Sequence, residues 1–172
     1  LTMADVNDDR AKTLAKELDA TLVAPDAIMS VACDVFSPNA LGAILNDEGI
    51  ARLDCAVVAG GANNQLGRPE HGAALAARGI LYAPDYVINA GGLINIALEL
   101  EPGGYDRARA LARAEAIGAT LAEVFERAAR TGMPTHEVAD RMARERLAAG
   151  PQRQSRPALE AGSHRLDRGT HR

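Results

Sequence analysis

Tryptophan is absent, and three tyrosines and two phenylalanines are the whole aromatic complement of the 172 residues. So few rings leave little to stack on bases, and a formal charge of -4 gives no electrostatic reason to expect nucleic acid as a partner. Cysteine occurs only at Cys33 and Cys55, neither with a second Cys or His at ligand spacing. Both sit in apolar, strand-like contexts, which reads as two reduced core residues rather than a disulfide or a zinc site. Nor is there an apolar run long enough to span a bilayer, or a basic-then-apolar leader. No membrane association is expected, and the cytoplasm is the default location. Lysine is the scarcest charged residue: Lys12 and Lys16 are the only two.

What remains is ordinary globular composition, 47% hydrophobic and 24% charged, in a length that suits one domain with a proper core. Residues 1–149 read as that domain. Residues 150–172 carry five arginines against two acids and almost no large apolar side chains, the composition of a disordered basic tail, with electrostatic docking as the alternative.

Along the chain, short continuous apolar runs alternate with helical patterns. "LTMAD" reads as a strand ending in Asp5, and "VNDDRAKTLAKEL" as a helix that Asn7 or Asp8 can cap. "ATLVAP" and "ACDVFSP" read as strands, and "NALGAILNDEGIARL" as a short helix and loop with Asn39 as a possible cap. "DCAVVAGGANNQL" runs from a strand into a glycine and asparagine turn. "PEHGAALAARG" is a helix stopped by Gly79, and "ILYAPDYVIN" reads as extended. Buried on both faces, such strands form a parallel sheet, so an α/β doubly wound fold is expected. The last third differs. A long amphipathic helix carries Leu111, Ile117, Leu121, Val124 and Phe125 on one side and ends at Gly132; a second, with Thr135 as a plausible cap, carries Val138, Met142 and Leu147.

In an open parallel sheet, ligands bind beyond the carboxyl ends of the strands. Four such ends carry polar or glycine residues: Asp5, "SPNA" from Ser37, "GGANNQ" from Gly60 and "NAGG" from Asn89. An acid in the position of Asp5 suits both hydroxyls of an adenosine ribose and repels a 2'-phosphate, favouring NAD over NADP, although a helix-capping Asp is at least as common. Glycine turns let backbone approach a flat ring closely, and asparagine both donates and accepts toward an amide. One such turn is uninformative; several at successive strand ends mark a site.

"APDYVINAGGLIN", "VVAGGANNQL", "CDVFSPNALG" and "PTHEVADRMA" together resemble the leucine, phenylalanine and valine dehydrogenases of the glutamate dehydrogenase superfamily, over roughly Thr2 to Leu147. The resemblance implies a Rossmann-like NAD-binding domain, its two closing helices, and oxidation of an L-amino acid to the 2-oxo acid and ammonia. Carried over by residue, Asp5 holds the adenosine ribose, with Val6 and Asn7 beside it. Ser37, Pro38, Ala59, Gly60 and Asn64 flank the cofactor near the nicotinamide ribose. Asn89 meets substrate and cofactor together, Gly91 and Gly92 permit close approach, and Leu93 and Ile96 line a pocket for an apolar, branched-chain side chain. This chain departs from the pattern at Asn39, where the family often has Cys, and at Leu98, where it often has an acid; both departures are tolerable.

The same resemblance implies parts that are not here. A glycine-rich phosphate loop precedes the ribose-binding acid by about 20 residues in this architecture, whereas four residues precede Asp5. The sheet is therefore expected to lack its first, central strand. The lysines and the Asp that carry catalysis in the family belong to an N-terminal domain, and Lys12 and Lys16, outward on the first helix, cannot replace a desolvated general base. No catalytic residue is expected in this chain. The expectation is a C-terminal portion of an enzyme of about 350 residues, homo-oligomeric as a parent and inactive in this piece alone. The alternatives are a non-catalytic nucleotide-binding or regulatory module, and a decayed reading frame without a stable product.

Overall fold

The computed structural model describes residues 1–150; the tail expected at the C-terminus lies, from residue 151 on, outside the described residues. Strand β1 (Thr2–Met3) leads into helix α1 (Asp8–Glu17) and β2 (Thr21–Leu22). A 3-10 turn (Ile28–Ser30) then precedes β3 (Cys33–Phe36), α2 (Asp47–Arg52), β4 (Cys55–Val58), α3 (Glu70–Ala77) and β5 (Leu81–Tyr82). Four helices follow: α4 (Asp85–Ile88), α5 (Gly91–Glu99), α6 (Arg107–Thr131) and α7 (Thr135–Ala148). The α/β class and the parallel pairing expected from the alternating pattern hold.

The strands do not form one sheet. β1 pairs only with β2, and β3–β4–β5 form a second sheet, with Thr2 opposite Thr21 and Cys33 opposite Cys55 in register. The two halves do not close across the gap where a central strand was expected to be lacking. β3, which would be interior in a continuous sheet, keeps Cys33, Asp34 and Val35 exposed and buries only Phe36. The core expectation for the cysteines is corrected accordingly: both are free thiols, but Cys33 is exposed and only Cys55 is half-buried. Burial pushes the Cys55 thiol up, and its neighbour Cys33 adds to the shift.

Local chemistry explains where the elements begin. Asn7 caps α1 by accepting from the Arg10 N–H, and Asp8 and Asp9 complement the exposed amides of its first turn. Asn39, expected as a cap, caps nothing: residues 39–45 are not helical. The cap of α2 is Asn46, whose side chain accepts from the Gly49 N–H at 2.9 Å, with Asp47 and Glu48 behind it. The largest correction concerns "ILYAPDYVIN". Only Leu81 and Tyr82 are strand; Pro84 then sets the entry to α4, and "NAGG" runs from the end of α4 into the first two residues of α5 rather than following a strand. Proline at a helix entry followed by an acid in the first turn is a helix start.

Two apolar clusters hold the chain together. Phe36, Val58 and Tyr82 of the strands pack with Leu45, Ile50, Leu53, Leu75 and Ile80. Val124 of α6 packs with Val138, Ala139 and Met142 of α7. The expected stripes are only partly buried: Leu111 and Leu147 stay exposed. Gly132, with φ 71°, ends α6 in the left-handed region as anticipated. Thr135 is the first residue of α7, not its cap, and its Oγ1 donates to the Tyr82 carbonyl at 2.6 Å, fastening α7 to the end of β5. Thr135→Val keeps the shape and leaves that buried carbonyl unpaired, so a loss of ~1 kcal/mol is expected by urea denaturation.

Candidate functional site

The expected site residues come from four separated segments, and side-chain bonds join three of them into one rim. Asp5 and Val6 follow β1. Asp5 is half-buried and its Oδ1 accepts from the Asn7 N–H at 2.8 Å; Val6 is 91% exposed, with no packing partner to explain an apolar side chain there. Ser37 and Pro38 follow β3, and together with Asp5 they line one groove of about 780 Å³.

The Ser37 segment is stitched to the glycine turn after β4. Asn39 Nδ2 donates to both the Ser37 carbonyl and its Oγ at 3.0 Å, and Asn39 Oδ1 accepts from the Gly61 N–H at 2.8 Å. The Ala62 N–H donates to the Pro38 carbonyl, and the Ala59 N–H to the Phe36 carbonyl, both at 3.0 Å. Gly60 is buried against Pro38 so closely that a Cβ would lie 2.2 Å from the Pro38 carbonyl oxygen. The bareness of Gly60 is thus required by packing between two loops.

The same turn reaches the α4–α5 corner. Asn89, the residue that ends α4, donates from Nδ2 to Asn63 Oδ1 at 2.7 Å. Asn64 holds a left-handed φ of 53°, and its N–H donates to Asp85 Oδ2 at 2.7 Å. Beyond the corner, a Cβ on Gly91 or Gly92 would meet nothing within 4 Å, so space is open on this side of the rim. Leu93 and Ile96, three residues apart on α5 and hence on one face, are 72% and 57% exposed. Asp5, Ser37, Pro38, Asn89, Leu93 and Ile96 are thus where a groove and an open apolar shelf border the bonded turns.

Three residues shape this rim that the sequence patterns did not single out. Asp85 is buried and accepts from the Tyr82 hydroxyl at 2.5 Å as well as from Asn64. Burial, then the hydrogen bond to Asp85, pushes the Tyr82 hydroxyl well above the ordinary tyrosine value, so it remains a donor. Gln65, wholly buried, donates from Nε2 to the carbonyls of Gly60 and Ala62 at 2.6 and 2.9 Å and folds the turn on itself. The Pro-Asp pair at a helix start was a readable signal for Asp85; nothing in the pattern marked Gln65 as interior.

Another charge cluster gathers around Glu101. Glu101, held below the ordinary carboxylate range by Arg113 and Arg109, braces α6 against the loop after α5. Among the described residues no group of three or more His, Cys, Asp or Glu converges as a metal site, and no helix is long and apolar enough to cross a membrane.

Known proteins resemble this chain in sequence and fold. A family model described as Glutamate/Leucine/Phenylalanine/Valine dehydrogenase matches residues 2–152. Leucine dehydrogenase of Thermoactinomyces intermedius is 53% identical over 147 residues, which is 86% of this chain and 40% of that protein. Phenylalanine dehydrogenase of the same organism is 43% identical over 84% of this chain and 40% of its own length. The crystal structure of L-tryptophan dehydrogenase from Nostoc punctiforme superposes with a TM-score of 0.83 at 43% identity, covering 87% of this chain and 44% of that one. The chain spans about 40% of the length of the curated relatives it matches. With the family model matching nearly all of the described residues, the chain belongs to the Glutamate/Leucine/Phenylalanine/Valine dehydrogenase family.

Proposed function

We propose that this chain is the cofactor-binding portion of an NAD-dependent L-amino acid dehydrogenase that oxidises an apolar, branched-chain amino acid to its 2-oxo acid and ammonia. The observation that carries the reading is the continuous rim. The bonds Asn39–Gly61 and Asn63–Asn89 hold three of the four segments together, and Asp5 of the fourth shares a groove with Ser37 and Pro38. Such a rim fits a dinucleotide. Asp5 has a carboxylate oxygen beyond the one bonded to Asn7 with which to receive a ribose hydroxyl, and its charge disfavours a 2'-phosphate. Ser37, Pro38, Ala59, Gly60 and Asn64 would border the nicotinamide end. When bound, the nicotinamide supplies hydride acceptance; this chain's residues bind and orient.

Substrate would meet the cofactor beside Asn89, whose amide can both donate and accept, and the exposed Leu93 and Ile96 would receive an aliphatic side chain. No general base comes from this chain. Lys12 and Lys16 lie on α1, and both are exposed, whereas a catalytic lysine at neutral pH has to be desolvated.

The test is a chimaera in which residues 1–147 replace the matched segment of the Thermoactinomyces intermedius leucine dehydrogenase. NADH formation from L-leucine is expected within about tenfold of that enzyme's rate, as 53% identity and a shared rim would give. Asn89→Ala in the chimaera should lower kcat/KM about 100-fold, and Asp5→Asn should cut the preference for NAD over NADP about tenfold. The unfused chain should show no turnover. A folded chimaera that oxidises no apolar amino acid, or an unfused chain that does, would overturn the proposal.

A further inference from the structure

We propose that Asn39 is a positioning residue: it donates to the Ser37 hydroxyl oxygen, so that the hydroxyl's own proton is turned to the groove and donates to an oxygen at the nicotinamide end of the cofactor. The proposal rests on the cofactor reading and says what one group of that site does.

The orientation of the Asn39 amide follows from its neighbours. Its Oδ1 accepts from the Gly61 N–H at 2.8 Å, and a backbone N–H can only donate. Turning the amide over would set two donors face to face, so Nδ2 is the atom that points at Ser37. The two Nδ2 hydrogens have two acceptors, the Ser37 carbonyl and Ser37 Oγ, each at 3.0 Å. The Gly61 end of this clasp is held in place, because Gly60 is pressed against Pro38 and the Ala62 N–H donates to the Pro38 carbonyl. Asn39 therefore joins the loops after β3 and β4 and sets one hydroxyl at the same time.

A serine hydroxyl has one proton and two lone pairs. With Nδ2 on one lone pair, the Oγ–H is directed away from Asn39, and among the described residues no oxygen accepts it. Ser37 is exposed, and both it and Asn39 line the groove of about 780 Å³, so that proton is available to a bound molecule. An aspartate in place of Asn39 would reverse the arrangement. Its carboxylate still accepts from Gly61 but has no proton to give, so the Ser37 hydroxyl turns inward and donates to it.

The test is a double-mutant cycle in the leucine dehydrogenase chimaera, reading KM for NAD against kcat. Ser37→Ala should raise KM for NAD about fivefold, the worth of one neutral hydrogen bond, and leave kcat and KM for L-leucine near the parent's. Asn39→Asp should do the same, and the double variant no more than either alone, because both remove one donor. A structural or charge effect of the new carboxylate would persist without the hydroxyl, and the two changes would then multiply to about 25-fold. That result would overturn the proposal, as would Asn39→Asp with the parent's KM. Nicotinamide mononucleotide, titrated at millimolar concentration into the full 172-residue chain and followed by NMR, gives a readout without turnover. The Ser37 amide signal should shift, with an affinity about fivefold lower in each variant. No shift at Ser37 in the parent, or equal affinity in all three proteins, overturns the role of Asn39. If Ser37→Ala leaves KM unchanged while Asp5→Asn still alters the choice between NAD and NADP, the cofactor reading stands and the role of Asn39 falls. If neither variant has an effect, both fall.

Discussion

Gly60→Ala is expected to cost ~3 kcal/mol or more, enough to remove much of the stability of a domain of this size. The added methyl would sit 2.2 Å from the Pro38 carbonyl oxygen and 2.5 Å from its nitrogen. Those are backbone atoms of a buried residue, and they cannot swing aside as the tip of a long side chain can. Relief requires the loop after β3 to part from the turn after β4, which breaks the Ala62 to Pro38 bond and strains the Gly60 carbonyl away from Gln65. Gly91→Ala is the contrasting control. Its Cβ would enter open space at a helical position, so stability should rise by ~0.5 kcal/mol or more from helix propensity alone. Urea denaturation of both variants distinguishes them. If Gly60→Ala were as stable as the parent, the close approach of these two loops would be wrong, and with it the continuity of the rim.

Much of the scaffold was legible because local signals were redundant. Asn7 followed by two acids announces a helix start twice over, once by a side-chain acceptor and once by charge. Gly132 after a long periodic stretch announces its end. The apolar runs before Phe36 and Val58 are short and β-rich, and both are parallel strands. The "ILYAPDYVIN" stretch reads as extended but is strand only at Leu81 and Tyr82, because a short apolar run has no decisive period; whether it is strand or helix turns on its neighbours. Pro84 and Asp85 supply that context and favour helix. The parallel pairing of β3, β4 and β5 followed from the alternating pattern, whereas the contact between Thr135 and Tyr82, 53 positions apart, followed from nothing local. Candidate site residues were chosen by a different logic, the glycine and asparagine clusters after apolar runs. That logic picked out Asn89, Gly60 and Asn64 as candidates, and the structure joins the turns that carry them. It passed over Asp85 and Gln65, which act on those residues from within the fold and carry no ligand-like pattern of their own.

Asp85 is where fold and candidate site depend on the same atoms. Asp85→Ala should lose ~3 kcal/mol, because it strands a buried phenolic hydroxyl and a backbone N–H at once. The Tyr82 side chain is 2% exposed and has no water to turn to. Asn64, released from Asp85 Oδ2, loses the bond on its N–H and keeps only that from the Ala43 N–H to its carbonyl to offset its left-handed φ of 53°, so the turn that carries Asn63, and through it the orientation of Asn89, should loosen. Asp85→Asn should be milder, about half the loss, because the amide oxygen can still accept one hydrogen bond while its nitrogen donates to the Tyr82 oxygen. In a double-mutant cycle, Tyr82→Phe with Asp85→Ala should show coupling of ~1 kcal/mol or more, since each variant alone strands a buried partner. The pair also gives a pH signature. Tyr82 has a raised value in the folded chain, by burial first and by Asp85 second, so its contribution is fully present below the unfolded tyrosine value of about 10. It is lost as pH climbs above that value, because the unfolded chain then releases a proton that the folded chain keeps. Stability measured through the alkaline range should fall more steeply in the parent than in Tyr82→Phe. Equal slopes would mean that the Tyr82 hydroxyl is not held in the buried bond, and Asp85 would then have only Asn64 to position.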